Sequence, residues 1–140
     1  MKQALIDANV VLRYLTKDPP EMAEAALKIF NEAKDGKISL SIIPITVAEV
    51  VWVLESFYGY SKRQISETMT QFLLCEGLKV ESLDLLIGAL TLYDEKNLDF
   101  ADAILAMTAL RTGPKIIYSF DRHLNRVEGL KRLEPGHGNS

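Results

Sequence analysis

Asp7, Glu49, Asp102 and Asp121 are carboxylates set inside apolar runs, and that setting points to cation chemistry. Asp7 closes Ala4-Leu5-Ile6, and Glu49 lies within Ile45-Thr46-Val47-Ala48-Glu49-Val50-Val51-Trp52. Asp102 interrupts Phe100-Ala101-Asp102-Ala103-Ile104-Leu105, and Asp121 follows Ile116-Ile117-Tyr118-Ser119-Phe120. Such flanks lead us to expect buried acids. A carboxylate withdrawn from water must be paired, hydrogen-bonded, protonated or metal-bound. No Lys or Arg lies within a few residues of Asp7, Glu49 or Asp102 to form a local ion pair. Two carboxylates about 4 Å apart repel by roughly 4 kcal/mol at a surface-like dielectric, so a cluster must hold a proton or a cation. Hard oxygen donors suit Mg²⁺ or Mn²⁺, while a single cysteine, Cys75, and two scattered histidines, His123 and His137, disfavour zinc. Such a site is equipped for phosphoryl chemistry: it can polarise a phosphodiester and lower the pKa of an attacking water.

Each acid also has a plain structural reading. Asp7 can cap a helix beginning at Ala8, and Asp121 can cap the turn Arg122 to Asn125. Thr46-Val47-Ala48-Glu49 has the form of a capping box, as does Asp99-Phe100-Ala101-Asp102 with Asp99 as the cap. Taken singly, each acid is most simply a cap. Taken together, with Val, Ile, Leu, Phe and Trp as their flanks, they argue for a shared site.

The elements that must position these acids alternate between strand and helix. Residues 3–6, 37–43, 78–81 and 115–120 read as strands, with a further short one at 130–133. Asp18-Pro19-Pro20-Glu21 opens a helix with Asp18 as its cap, and Asp35-Gly36 stops it. Pro44 ends a strand and Thr46 opens a helix running to about Phe57. Ser61-Lys62-Arg63-Gln64 is a capping box for the next. Helices over 83–97 and 100–112 follow, the last stopped by Gly113-Pro114. The alternation predicts an α/β fold with a parallel sheet covered on both faces. In such sheets ligands bind at the carboxyl ends of strands. Asp7 and Asp121 fall at those ends, and Glu49 and Asp102 fall in the first turns of predicted helices.

A length of 140 residues suits one domain, and 48% apolar with 25% charged residues is ordinary for a globular chain. We expect a domain over 1–134 and a frayed tail over 135–140, which would include His137. The lone cysteine fits a reduced cytoplasmic setting, and no membrane span or signal segment is legible. A net charge of −3 speaks against a general nucleic-acid coat protein but not against a nuclease. Bases gather between Arg111 and Arg132. Among them, Arg122 and Arg126, with Arg13 elsewhere, could steer an RNA backbone. His123, in that basic turn, is read as facing solvent or phosphate. Trp52, Phe57, Tyr58 and Tyr60 are core residues or a partner surface.

The segments Leu5-Ile6-Asp7-Ala8-Asn9-Val10-Val11-Leu12-Arg13-Tyr14-Leu15, Ile45 to Val50, Leu98 to Ala106 and Ser119-Phe120-Asp121-Arg122 resemble a PIN domain, specifically the VapC-type ribonuclease toxins of toxin–antitoxin pairs. The likeness runs to Leu133 and keeps motif order. It implies a three-layer α/β/α fold with a central parallel sheet of four to five strands, and a Mg²⁺- or Mn²⁺-dependent endoribonuclease. By that resemblance Asp7, Glu49, Asp102 and Asp121 are the acidic set. Asp99 is an auxiliary acid, and Asn9 and Ser119 are polar neighbours that orient a carboxylate or water. RNA as substrate, a small antitoxin as partner and a homodimer are implied with it.

Rival readings differ at particular residues. A haloacid-dehalogenase-like phosphatase needs an acid two residues after Asp7, where Asn9 stands. A phosphoacceptor receiver domain needs an Asp ending the central strand, where Ile42-Ile43-Pro44 has none. A PIN-like scaffold without activity, or an RNA-processing nuclease without antitoxin, shares the same motifs.

Overall fold

Parallel pairing between segments far apart in sequence organises the first part of the chain. A computed structural model describes residues 2–136; the expected end of the tail, with His137, lies outside them. The elements are β1 (Lys2–Leu5), α1 (Ala8–Thr16), α2 (Pro20–Lys34), β2 (Ile38–Ile42), α3 (Pro44–Ser56), α4 (Lys62–Leu73), β3 (Leu78–Val80), α5 (Leu83–Glu95), α6 (Phe100–Thr112), β4 (Ile116–Tyr118) and β5 (Lys131–Leu133), with a 3₁₀ turn at Arg122–Arg126. The chain divides into two compact units after Leu83.

In the first unit β2 lies between β1 and β3, parallel to both. Each crossover is a helix pair, as parallel strands require. The middle strand is the covered one: Ser39, Leu40 and Ile42 are buried. The expected alternation of Lys37 to Ile43 gives way there to nearly continuous burial, as a central parallel strand demands. α1 packs on α2 and α3, and α3 on α4. Tyr14, Phe30 and Phe72 tie three of these helices, with Tyr14–Phe30 centroids 4.6 Å apart and Phe30–Phe72 edge-to-face at 5.5 Å. Gly77 sets the entry to β3: its φ is +90°, and a Cβ there would lie 2.6 Å from the Ala33 backbone.

The second unit holds α5, α6 and the parallel pair β4–β5. α6 packs on β4, and β5 on the 3₁₀ turn. Tyr93 and Phe100, both buried, meet edge-to-face at 5.7 Å. The expected central parallel sheet of four to five strands is found, among the described residues, as a parallel set of three and a parallel pair. Together with the helices they make the chain an α/β protein.

Several local readings hold to the residue. Ser61 and Gln64 form the reciprocal capping box. α6 runs from Phe100 to Thr112 as expected. Others shift. The cap of α2 is Pro19 without a side-chain bond, and Asp18 uses its carbonyl to accept from Arg13 Nη1 at 3.3 Å. α3 starts at Pro44, two residues earlier than expected, because proline suits the first helical position where no N–H is needed.

Candidate active site

In the first unit, Asp7 stands between β1 and α1. Its extended backbone (φ −97°, ψ 176°) ends the strand run, and its Oδ1 accepts the Val10 N–H at 3.1 Å. The cap reading is therefore correct, and only part of the carboxylate is used by it. Asp7, Asn9, Val10 and Arg13 line one wall of a groove of about 310 Å³ between α1 and α2; Met22, Ala25, Ala26 and Ile29 line the other. The groove thus places an acid, an amide and a guanidinium beside an apolar wall.

Glu49 does not form the capping box with Thr46. The Thr46 N–H already bonds the Ile43 carbonyl at 3.0 Å, since the helix begins at Pro44. Glu49 consequently sits in the second turn of α3, not the first. It is also exposed, as are Asp7 and Asn9. The expectation that apolar neighbours imply burial fails here for a geometric reason. Successive helical residues point about 100° apart, so Val47, Val50 and Val51 enter the core while Glu49 faces out.

The second unit brings two of the acids together. Asp102, on the first turn of α6, and Asp121, ahead of the 3₁₀ turn, are both half-buried and hydrogen-bond through their side chains. Burial, then the hydrogen bond and charge of Asp121, raise the Asp102 carboxyl above its ordinary value. Asp99 adds repulsion, and His123 partly offsets it. Asp121 moves the other way. The His123 backbone N–H lowers it most, and the Asp102 hydrogen bond and the charges of His123 and Arg126 help, against its own desolvation. Ionising Asp102 beside Asp121 sets two negative charges against each other, so the two carboxyls titrate as a pair, with Asp102 giving up its proton at higher pH than Asp121.

Local bonds aim Asp121. The Ser119 Oγ accepts the Asp121 N–H at 3.0 Å, and Asp121 Oδ1 accepts the His123 N–H at 2.9 Å. His123 Nδ1 also lies 3.1 Å from Asp121 Oδ1. The reading of His123 as a solvent- or phosphate-facing residue missed that second contact, though the Asp-x-His spacing was there to suggest it. Asp99 is the N-cap of α6 but makes no side-chain capping bond; its carbonyl accepts the Ala103 N–H at 2.9 Å. Arg126 donates through Nη1 to the carbonyls of Lys96 (3.2 Å) and Asn97 (2.9 Å), beyond the end of α5. Arg122 is exposed.

Within either unit, no three Asp, Glu, His or Cys side chains among the described residues converge closely enough to hold a metal ion. Two adjacent carboxylates still fit Mg²⁺, which keeps most of its waters and commonly takes only one or two protein carboxylates. The mutual repulsion of Asp102 and Asp121 marks the place where a divalent charge would be most welcome.

Parallel strands joined through helices, with acids after β1 and β4 and in α3 and α6, define a class that the comparisons identify. Residues 4–130 match the PIN domain, and the chain belongs to that family. A VapC ribonuclease of Aquifex aeolicus (strain VF5) is 27% identical over 131 residues, covering 94% of this chain and 96% of that protein.

Proposed function

We propose that this protein is a divalent-metal-dependent endoribonuclease, the toxin of a VapBC-type toxin–antitoxin pair. The Asp102–Asp121 pair carries the reading, and similarity to a protein named VapC ribonuclease along nearly the whole of both chains supports it. When bound, Mg²⁺ or Mn²⁺ supplies polarisation of the phosphodiester and a lower pKa for the attacking water. Asp102 would hold the cation as a carboxylate, the positive charge offsetting its repulsion by Asp121 and Asp99. Asp121, held by the N–H groups it bonds and by Ser119, presents a carboxylate of fixed direction. Asp7 and Glu49 are assigned to the same chemistry by family resemblance, and the exposed Arg122 to the RNA backbone.

An antitoxin is the proposed protein partner. The groove beside Asp7 offers it an apolar wall with Met22 and Ile29 exposed, next to an acid that a basic side chain would neutralise. A homodimer and a cytoplasmic location belong to the same proposal. Among the described residues no helix is long and apolar enough to cross a membrane.

Cleavage of labelled structured RNAs with Mg²⁺ or Mn²⁺ tests the reading, with EDTA and Asp102→Asn as controls. Cleavage lost in both controls is the expected result. Intact RNA across a broad panel, with metal-bound and antitoxin-free protein, would overturn it and leave a binding module.

A further inference from the structure

We propose that Arg132 is a positioning residue for Asp121, clamping the chain on both sides of that acid. The inference rests on the metal-nuclease reading above and adds a residue to it. Arg132 lies on β5, and its side chain is only 12% exposed. Its Nη1 donates to the Ser119 carbonyl at 2.7 Å, and its Nε to Asn125 Oδ1 at 3.0 Å. One guanidinium therefore grips the residue two before Asp121 and the residue four after it.

Within the segment between those grips the other bonds are local, the Leu124 N–H reaching the Asp121 carbonyl at 3.3 Å, and Leu124 is buried. The β4 ladder ends just beyond Tyr118, where the Ser119 N–H bonds the Leu133 carbonyl at 3.0 Å. Ser119 then passes the constraint on, because its Oγ accepts the Asp121 N–H. A charge-assisted bond at 2.7 Å is short and strong. It fixes Ser119, Ser119 fixes the Asp121 backbone, and the Asn125 arm fixes the turn that supplies the His123 N–H. Glu134 Oε1, 3.3 Å from Nη1, compensates the guanidinium charge. Only arginine serves here. Its rigid planar fork presents Nε and Nη donors in different directions, whereas a lysine ammonium is a single point on a flexible stem.

A residue that merely neutralised Glu134 would be replaceable by lysine, and Glu134→Gln would do the same damage as Arg132→Met. The clamp predicts otherwise. Mn²⁺ affinity, measured by calorimetry without RNA, should weaken about tenfold in Arg132→Lys and Arg132→Met, the size usual for groups that orient a ligand. Asn125→Ala, at an exposed position where folding is not at stake, should lose part of that affinity. Glu134→Gln should keep it. In parallel, hydrogen exchange at the Asp121 and His123 amides should quicken in the three clamp variants. The Ala103 amide, bonded to Asp99, should stay protected. Wild-type Mn²⁺ affinity with unchanged Asp121 and His123 exchange in Arg132→Lys and Asn125→Ala would overturn the clamp. If the wild-type protein itself fails to bind Mn²⁺, the metal reading falls while the exchange data still decide the clamp: faster exchange at both amides upholds it, and unchanged exchange removes it.

Discussion

The Asp102 and Asp121 side chains interact directly, and the two acids respond in opposite directions, Asp102 upward and Asp121 downward. A raised carboxyl pKa means that the folded chain binds that proton more tightly than the unfolded chain. The contribution of Asp102 to stability is thus present in acid and lost as pH rises through its folded-state pKa. Asp121 contributes in the reverse sense, above its unfolded pKa, and that contribution is lost as pH falls through its lowered value. In Asp102→Asn the amide can donate to Asp121 but carries no charge. We expect its metal-free melting temperature to exceed wild type at neutral pH, with the gain shrinking in acid. Thermal melts across that range check this; a shift of one size at every pH would contradict it.

Metal should bind in competition with protonation of Asp102, whose carboxyl is raised above its ordinary value. The affinity for Mn²⁺ is expected to rise with pH as Asp102 ionises, because a ligating carboxylate must be deprotonated. RNA cleavage by Asp102→Asn and Asp121→Asn should fall on the order of a hundredfold or more, at the upper end of what loss of metal-site groups costs. Calorimetric titration at two pH values and cleavage rates at saturating metal separate the two effects. Wild-type rates in both variants would remove the pair from the chemistry.

Asp7 carries a cap as well as a proposed catalytic role, and two substitutions divide them. Asparagine caps as well as aspartate, so Asp7→Asn should keep the wild-type melting temperature and lose cleavage. Asp7→Ala also forfeits the bond to the Val10 N–H and should lose about 1 kcal/mol of stability. Denaturant unfolding with a cleavage assay on both variants checks this. A destabilised Asp7→Asn would show that the negative charge, not the cap geometry, holds the start of α1.

Arg122 and Arg126, which sequence reasoning treats alike, should behave differently. Arg126→Met removes two donated bonds to the carbonyls of Lys96 and Asn97 and should cost about 1 kcal/mol of stability. Arg122→Ala should leave the melting temperature alone, weaken RNA binding and reduce the salt slope by about one unit, as for a lost phosphate contact. Fluorescence-monitored RNA binding across a salt series distinguishes them. Equal effects of both variants on stability would refute the division.

Capping and periodicity are short-range physics, and what depends on them was legible. The Ser61–Gln64 box, the span of α6, the Asp7 cap and the parallel strands follow from contacts a few residues apart or from hydrophobic pattern. The order of the acids was equally plain, and it carries the family. The phase of α3 was not. Proline at its first position moved the start two residues, turning Glu49 from a capping group into an exposed side chain of the second turn.

What only the tertiary structure decided is which polar groups meet. Asp102 and Asp121 are separated by most of α6 and by β4, and no local rule pairs them. Arg132 reaches back thirteen residues to the Ser119 carbonyl because β5 lies parallel beside β4. Residue type and spacing along one chain determine which acids are present and which elements bear them. Charge repulsion, desolvation and the aim of a carboxylate depend on distances through space, and those exist only once the strands have paired and the helices have packed.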